Sequence, residues 1–337
     1  MNTKYFCLVF ICTLFIFSTT TRQEPAHKVV KTFHIASSGG WDYIAVNNNK
    51  LYVSHSNQVN ILDENTGDSI GFIPNTPGVH GIAFDNELNR GYTSNGRSDN
   101  ITVFDLKTNK IITKIPAGEN PDAIMFEPYT KKIITNNGRS HNLSIIDPLS
   151  NKQIGKIELN GKPEEAVADG EGKLYVNLED KNEIAVVSLK TFKVEKRWSL
   201  LPGEGPTGLA MDIKSKRLFS ACSDSKLLVV MDAENGRIID KLKIGGGCDG
   251  AAFDPENKLI FLPNGADGTI TIVKERSANE FAVTGNIITK RGARTITRDK
   301  KTGMLFLPTA EFEPADPADP KGRPGMKPGT FQVLAVQ

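Results

Sequence analysis

Seven residues, each one position ahead of a short apolar segment, carry most of the chain's chemical potential: Asp42, His80, Asp122, Glu164, Thr207, Asp249 and Arg294. If they share one face, they form a hydrophilic mouth with four carboxylates and two groups able to carry positive charge. His80 with Asp122 or Glu164 could act as a general acid–base pair, the set that a hydrolase or lyase needs. His55, His80, Asp42 and Asp122 together offer nitrogen and oxygen donors of the kind that hold Zn²⁺ or Mn²⁺ and activate water. Trp41, beside Asp42, offers a stacking surface for a sugar ring. Two nearly identical stretches, SNGRSDN at 94–100 and NNGRSHN at 136–142, place Arg97 and Arg139 where their guanidiniums could fork onto a carboxylate, sulfate or phosphate. The Asn-Gly dipeptides there fit turns with positive φ. The plainer alternative for all of these is a solvated rim bonded to neighbouring backbone. There is no HExxH, Ser-His-Asp order, P-loop or dinucleotide fingerprint.

The elements that must position these side chains recur with a period of about 42 residues. Anchors fall at Tyr52, Tyr92, Ile134, Tyr175, Phe219, Phe261 and Phe306, in strands such as LYVS, GYTSN and RLFSA. Ahead of each anchor lies a strand like GIAFD, and behind it a third strand like NITVFD and a fourth like KIITKIPAG. The segments are short, β-branched and alternating, bounded by Gly, Asn, Asp or Pro, with no helical periodicity. Four strands per unit and seven units predict an all-β, seven-bladed propeller of four-stranded antiparallel blades. The last unit supplies only three strands, and KVVKTFHIA at 28–36 is expected to complete it, closing the ring from both chain ends. Acidic residues end the inner strands at Asp85, Glu127, Asp169, Asp212, Asp254 and Asp299, where carboxylates should accept turn amides. A second set, His55, Asn95, Asn137, Leu178, Cys222, Asn264 and Thr309, follows the second strands and is expected to form a further ring on the funnel face.

The chain divides into a signal peptide at 1–22 and one propeller domain at 28–337. Met1 to Lys4 precede an apolar run of about 13 residues and then a small polar stretch, the order of a secretory signal and shorter than the roughly 20 residues of a membrane span. Its removal takes Lys4 and Arg22 from the 41 basic residues, leaving 39 against 39 acidic ones. A neutral mature protein argues against electrostatic nucleic-acid binding. Cys222 and Cys248 remain, on adjacent blades in a disulfide-permissive compartment; a bridge and two free buried thiols are both open. A proline-rich insertion at 310–329 interrupts the last unit and should hang over the funnel as a lid or a surface loop.

The LYVS, YTSN, ITN and LYVN strands, followed by Asn-x-Thr/Ser-hydrophobic-hydrophobic-Asp, resemble the YVTN-type β-propeller repeats of exported bacterial proteins, the YncE-like ones among them. The resemblance implies a periplasmic or secreted propeller and says little about activity. The expectation is a monomeric binding or scaffold protein that engages a small polar or anionic ligand, a glycan or an envelope protein at Trp41, Asp42, His55, His80, Arg97, Asp122, Arg139, Glu164, Asp249 and Arg294. The alternative is a hydrolase or lyase using His80, Asp122 and Glu164. No cofactor is expected, a divalent metal at His55, His80, Asp42 and Asp122 being the exception weighed.

Overall fold

The computed structural model describes residues 27–37, 39–314 and 324–337. The signal segment expected at 1–22 and the middle of the proline-rich insertion lie outside the described residues. No described helix is long and apolar enough to cross a membrane.

The described residues form seven four-stranded antiparallel sheets, each built from consecutive strands except the last. There, Val29–His34 pairs antiparallel with Gln332–Val336 and becomes the outermost strand of blade 7. The sheet order is the expected propeller closure. Phe33 and Ile35 pack from this segment into a cluster that includes Phe306, Phe331 and Val333.

The recurring anchors are buried between blades, which explains why the pattern repeats a large side chain there. Tyr52 of blade 1 lies 4.8 Å from Phe84 and 6.1 Å from Phe104 of blade 2, centroid to centroid. Phe219 of blade 5 meets Phe253 and Phe281 of blade 6 in the same way, at 5.2 and 6.0 Å. The acidic residues ending the inner strands take turn amides as expected. Asp85 accepts from Leu88, Glu127 from Tyr129 and Thr130, Asp169 from Glu171, Asp212 from Lys214, Asp254 from Glu256, and Asp299 from Lys301 and Thr302.

Polar side chains on the second strands join blade 2 to 3, 3 to 4 and 4 to 5. Ser94 donates to the Asp122 carbonyl and Asn136 to the Glu164 carbonyl. Asn177 Nδ2 donates to the carbonyls of Thr207 and Gly208 at 3.1 and 3.0 Å, and its Oδ1 accepts from Ser220. Asn177 is fully buried, so removing it strands two carbonyls where water cannot reach them. Asn177→Ala is expected to cost about 3 kcal/mol in urea unfolding. A loss below about 1 kcal/mol would mean the blade 4–5 seam does not depend on these bonds.

Candidate functional site

The inner strands do not run straight into the channel. Pairing steps from Trp41 to Ile44, Val79 to Ile82, Pro121 to Ile124, Pro163 to Ala166 and Pro206 to Leu209 on the inner strand. The second strand advances one residue less each time, so each of these five entries is a β-bulge with two inner-strand residues outside the ladder. Bulges re-aim side chains, and here the unpaired residues are Asp42 and Tyr43, His80 and Gly81, Asp122 and Ala123, Glu164 and Glu165, Thr207 and Gly208. The chain thus presents two tiers of side chains to the channel, where simple alternation would present one.

The first tier is the predicted mouth. His80 Nδ1 lies 2.5 Å from Asp42 Oδ2 and 3.8 Å from Asp122 Oδ1. Arg294 reaches Asp249 through Nε at 2.9 Å and Asp42 through Nη2 at 3.3 Å. Lys162 pairs with Glu164 at 2.8 Å and also with Glu179. Asp42, His80, Asp122, Asp249 and Arg294 are therefore brought together; Glu164 joins the rim through Lys162. Asp42, Asp122, Glu164, Asp249 and Arg294 border a funnel cavity of about 600 Å³. Its lining carries Asp42, Asp122, Glu164, Glu179, Asp224 and Asp249 against Lys162, Arg291 and Arg294, so the funnel is acidic.

Burial and mutual repulsion set the protonation of this tier. Desolvation, with Asp42 and Asp249 adding repulsion, pushes Asp122 up to about 7 despite His80 nearby. Desolvation and Asp122 push Glu164 up to about 8 against the pull of Lys162. Desolvation raises Asp249 to about 6 although Arg294 opposes it. For His80 burial favours the neutral ring, but the Asp42 hydrogen bond and the surrounding carboxylates outweigh it and raise the imidazole to about 9.

The second tier contains two functional groups that the sequence pattern did not single out, Tyr43 and Glu165. The other positions of that tier are small: Gly81, Ala123, Gly208, Gly250 and Thr295. Glu165 accepts the Leu209 amide at 2.7 Å, and desolvation raises its carboxyl to about 8. Tyr43 is also raised, by desolvation and by the carboxylates above it. Below the funnel, Tyr43 and Glu165 border a throat of about 200 Å³ walled by Ile44, Ile82, Ile124, Met125 and Ile296.

Several expected site residues stand elsewhere. His55 is 1% exposed, stacked 4.0 Å from Phe331, with Nε2 against the Gly39 carbonyl and Nδ1 against Ser37. Desolvation lowers its basicity, and it takes no part in the mouth. None of the second-strand set lines the funnel, and His55, Asn95, Asn137 and Asn264 are latches inside their own blades. Asn95, Asn137 and Asn264 each donate to side chains five and seven residues on, in the third strand. Trp41 is 9% exposed and already packed against Phe331, Phe312 and the Arg294 guanidinium, which leaves little of its ring for a sugar. Arg97 and Arg139 are exposed on outer loops and do not line the funnel, so they supply no anion fork there. Cys222 and Cys248 are free and buried; their thiols turn to the Ser220 and Gly250 carbonyls, and burial pushes both up, Cys222 to about 12.

Gly96 and Gly138 are not at positive φ. Gly96 matters through space: a Cβ there would lie 2.6 Å from His80 Nε2, so the glycine admits the imidazole and leaves Nδ1 facing the carboxylates. From the insertion, Phe312 and Pro324 border the funnel and Phe312 bridges to Met326, which places the two ends of this segment over the mouth.

Fold and site define a β-propeller of seven blades with an acidic funnel. A solved structure of the same fold is the hydrazine synthase of Kuenenia stuttgartiensis, similar over 87% of this chain and 97% of that chain with a TM-score of 0.72. At 12% identity that likeness concerns the fold alone. No protein-family model matches the sequence, and no curated protein is similar to it in sequence.

Proposed function

We propose that this chain is an exported binding protein of the YVTN-type propeller class, working in the periplasm or outside the cell, whose funnel holds the positively charged group of a polar ligand or protein partner. The observation that carries this reading is the excess of acidic over basic side chains around a cavity of about 600 Å³. Buried carboxylates at close range cost free energy that a bound cation offsets, and the upward shifts at Asp122, Glu164 and Asp249 reflect that cost. The same field opposes phosphate, so the anionic ligand suggested by Arg97 and Arg139 gives way, and nucleic acid remains disfavoured.

A tri-lysine peptide and inorganic phosphate are the discriminating probes. By isothermal titration at low salt, the peptide is expected to bind, with affinity falling as salt rises. Glu164→Gln together with Asp249→Asn should weaken it at least about tenfold, the loss of charge-assisted contacts. Phosphate binding in preference to the peptide, or peptide binding indifferent to both substitutions, would overturn the proposal.

A further inference from the structure

We propose that Asp42, His80 and Asp122 form a site for one first-row divalent cation, with one nitrogen and two carboxylate oxygens presented by the entry bulges of three successive blades. The inference deepens the reading of the funnel as a cation-holding face and rests on it. The three donor atoms lie within 4.8 Å of one another. Coordination at about 2.0–2.2 Å sets donors about 3.0–3.4 Å apart, so side-chain torsions need to move the observed 2.5 and 3.8 Å separations by only about half an ångström.

Two features beyond proximity point to a cation. The Asp122 side chain is only 15% exposed, yet among the described residues its carboxylate accepts no hydrogen bond and its one ion-pair partner is His80 at 3.8 Å. That carboxylate opens onto the funnel cavity, so its oxygens have free coordinating capacity. Secondly, the neighbours of the triad fit the supporting shell of a metal centre. Arg294 bonds the Asp42 oxygen turned away from His80, fixing that carboxylate, and Gly96 lets the imidazole seat with Nδ1 inward. The funnel leaves the remaining positions of the ion open to water or to a ligand.

The mixed donor set selects the ion. Ca²⁺ takes six to eight oxygens, whereas imidazole with carboxylates suits Mn²⁺ or Zn²⁺. The test is calorimetric titration of the full mature chain, freed of metal by chelator, with MnCl₂, ZnCl₂ and CaCl₂ in turn. Saturable binding of one Mn²⁺ or Zn²⁺ per chain is expected, with a rise in melting temperature. Asp122→Asn, nearly isosteric, should weaken binding at least about tenfold, in line with the loss of a charged ligand. Asp68→Asn, an exposed carboxylate that does not line the funnel, should leave it within about threefold. In Mn²⁺ electron spin echo spectra a nitrogen coupling should be present and vanish in His80→Gln. No saturable binding at millimolar Mn²⁺ or Zn²⁺, preference for Ca²⁺, or binding unchanged by Asp122→Asn would each overturn the site; in the last case the ion sits elsewhere, such as at exposed His34. If the tri-lysine peptide still binds while the metals do not, the metal site fails and the cationic funnel stands. If neither binds, both fail.

Discussion

A chain that begins at Gly39, lacking the closing strand, is expected to melt more than about 10 °C below one that begins at His27 and to associate in solution. Val29–His34 forms the outer edge of blade 7, and its backbone pairs with Gln332–Val336 at Val29, Lys31, Thr32, Phe33 and His34. Without it, that ladder is unpaired. Phe33 and Ile35, 5% and 4% exposed, also leave a cluster shared with Phe306 and Phe331. At about 1.5–3 kcal/mol for each buried apolar side chain, their loss alone costs about 3–6 kcal/mol. That is a large share of the about 5–15 kcal/mol by which a domain is ordinarily stable. The exposed edge then templates pairing with another chain. A synthetic peptide of residues 28–37 should bind the shortened chain and restore most of the melting temperature. Melting within about 3 °C of the chain that begins at His27, with no effect of the peptide, would mean that the ring holds without its closure.

The same period that made this closure legible also made the first tier of the site legible. Anchors at Tyr52 through Phe306 mark equivalent positions in every blade, so residues at a common offset had to share a face. Asp42, His80 and Asp122 were brought together on that argument alone. It failed where side-chain direction departs from simple alternation. At a bulge two consecutive residues leave the ladder, so Glu165 reaches the channel beside Glu164, and Tyr43 beside Asp42. The signal was present in the sequence as a tier of small residues interrupted by one tyrosine and one glutamate. The second-strand set failed for another reason. Offset gives the end of the blade but not depth, and His55, Asn95 and Asn137 lie below the surface, where their donors and acceptors bind their own hairpin. Arg97 and Arg139 are at the right end and too far out. The cysteines share an end of neighbouring blades, which is necessary for a bridge but says nothing about where each thiol points.

Glu165→Gln is expected to stabilise the protein above pH 7 and to leave it nearly unchanged at pH 5. Glu165 has its carboxyl raised from an ordinary glutamate value to about 8, chiefly by desolvation. An acid whose folded pKa is raised holds its proton in the native state while the unfolded chain has released it. Its contribution is therefore fully present below about pH 4.5 and lost as pH climbs through about 8. Asp122, Glu164 and Asp249 act in the same direction, up to about 7, 8 and 6. His80, raised to about 9, adds stability below its ordinary value near 6.5 that is likewise lost as pH rises through 9. The turn carboxylates oppose them. Asp147, lowered to about 2 by Ser150 and Lys132, and Asp212 and Asp254, also lowered, add stability that is lost as pH falls below about 4. Stability should thus peak near pH 5 and decline toward pH 9, with the channel groups setting the alkaline slope. Glutamine keeps an oxygen for the Leu209 amide and removes the buried charge, so urea unfolding at pH 8.5 should gain on the order of 1–3 kcal/mol. Equal or lower stability of the variant at pH 8.5 would mean that Glu165 is comfortably ionised in the channel, held by its amide bonds, and that the alkaline decline arises in the mouth above it.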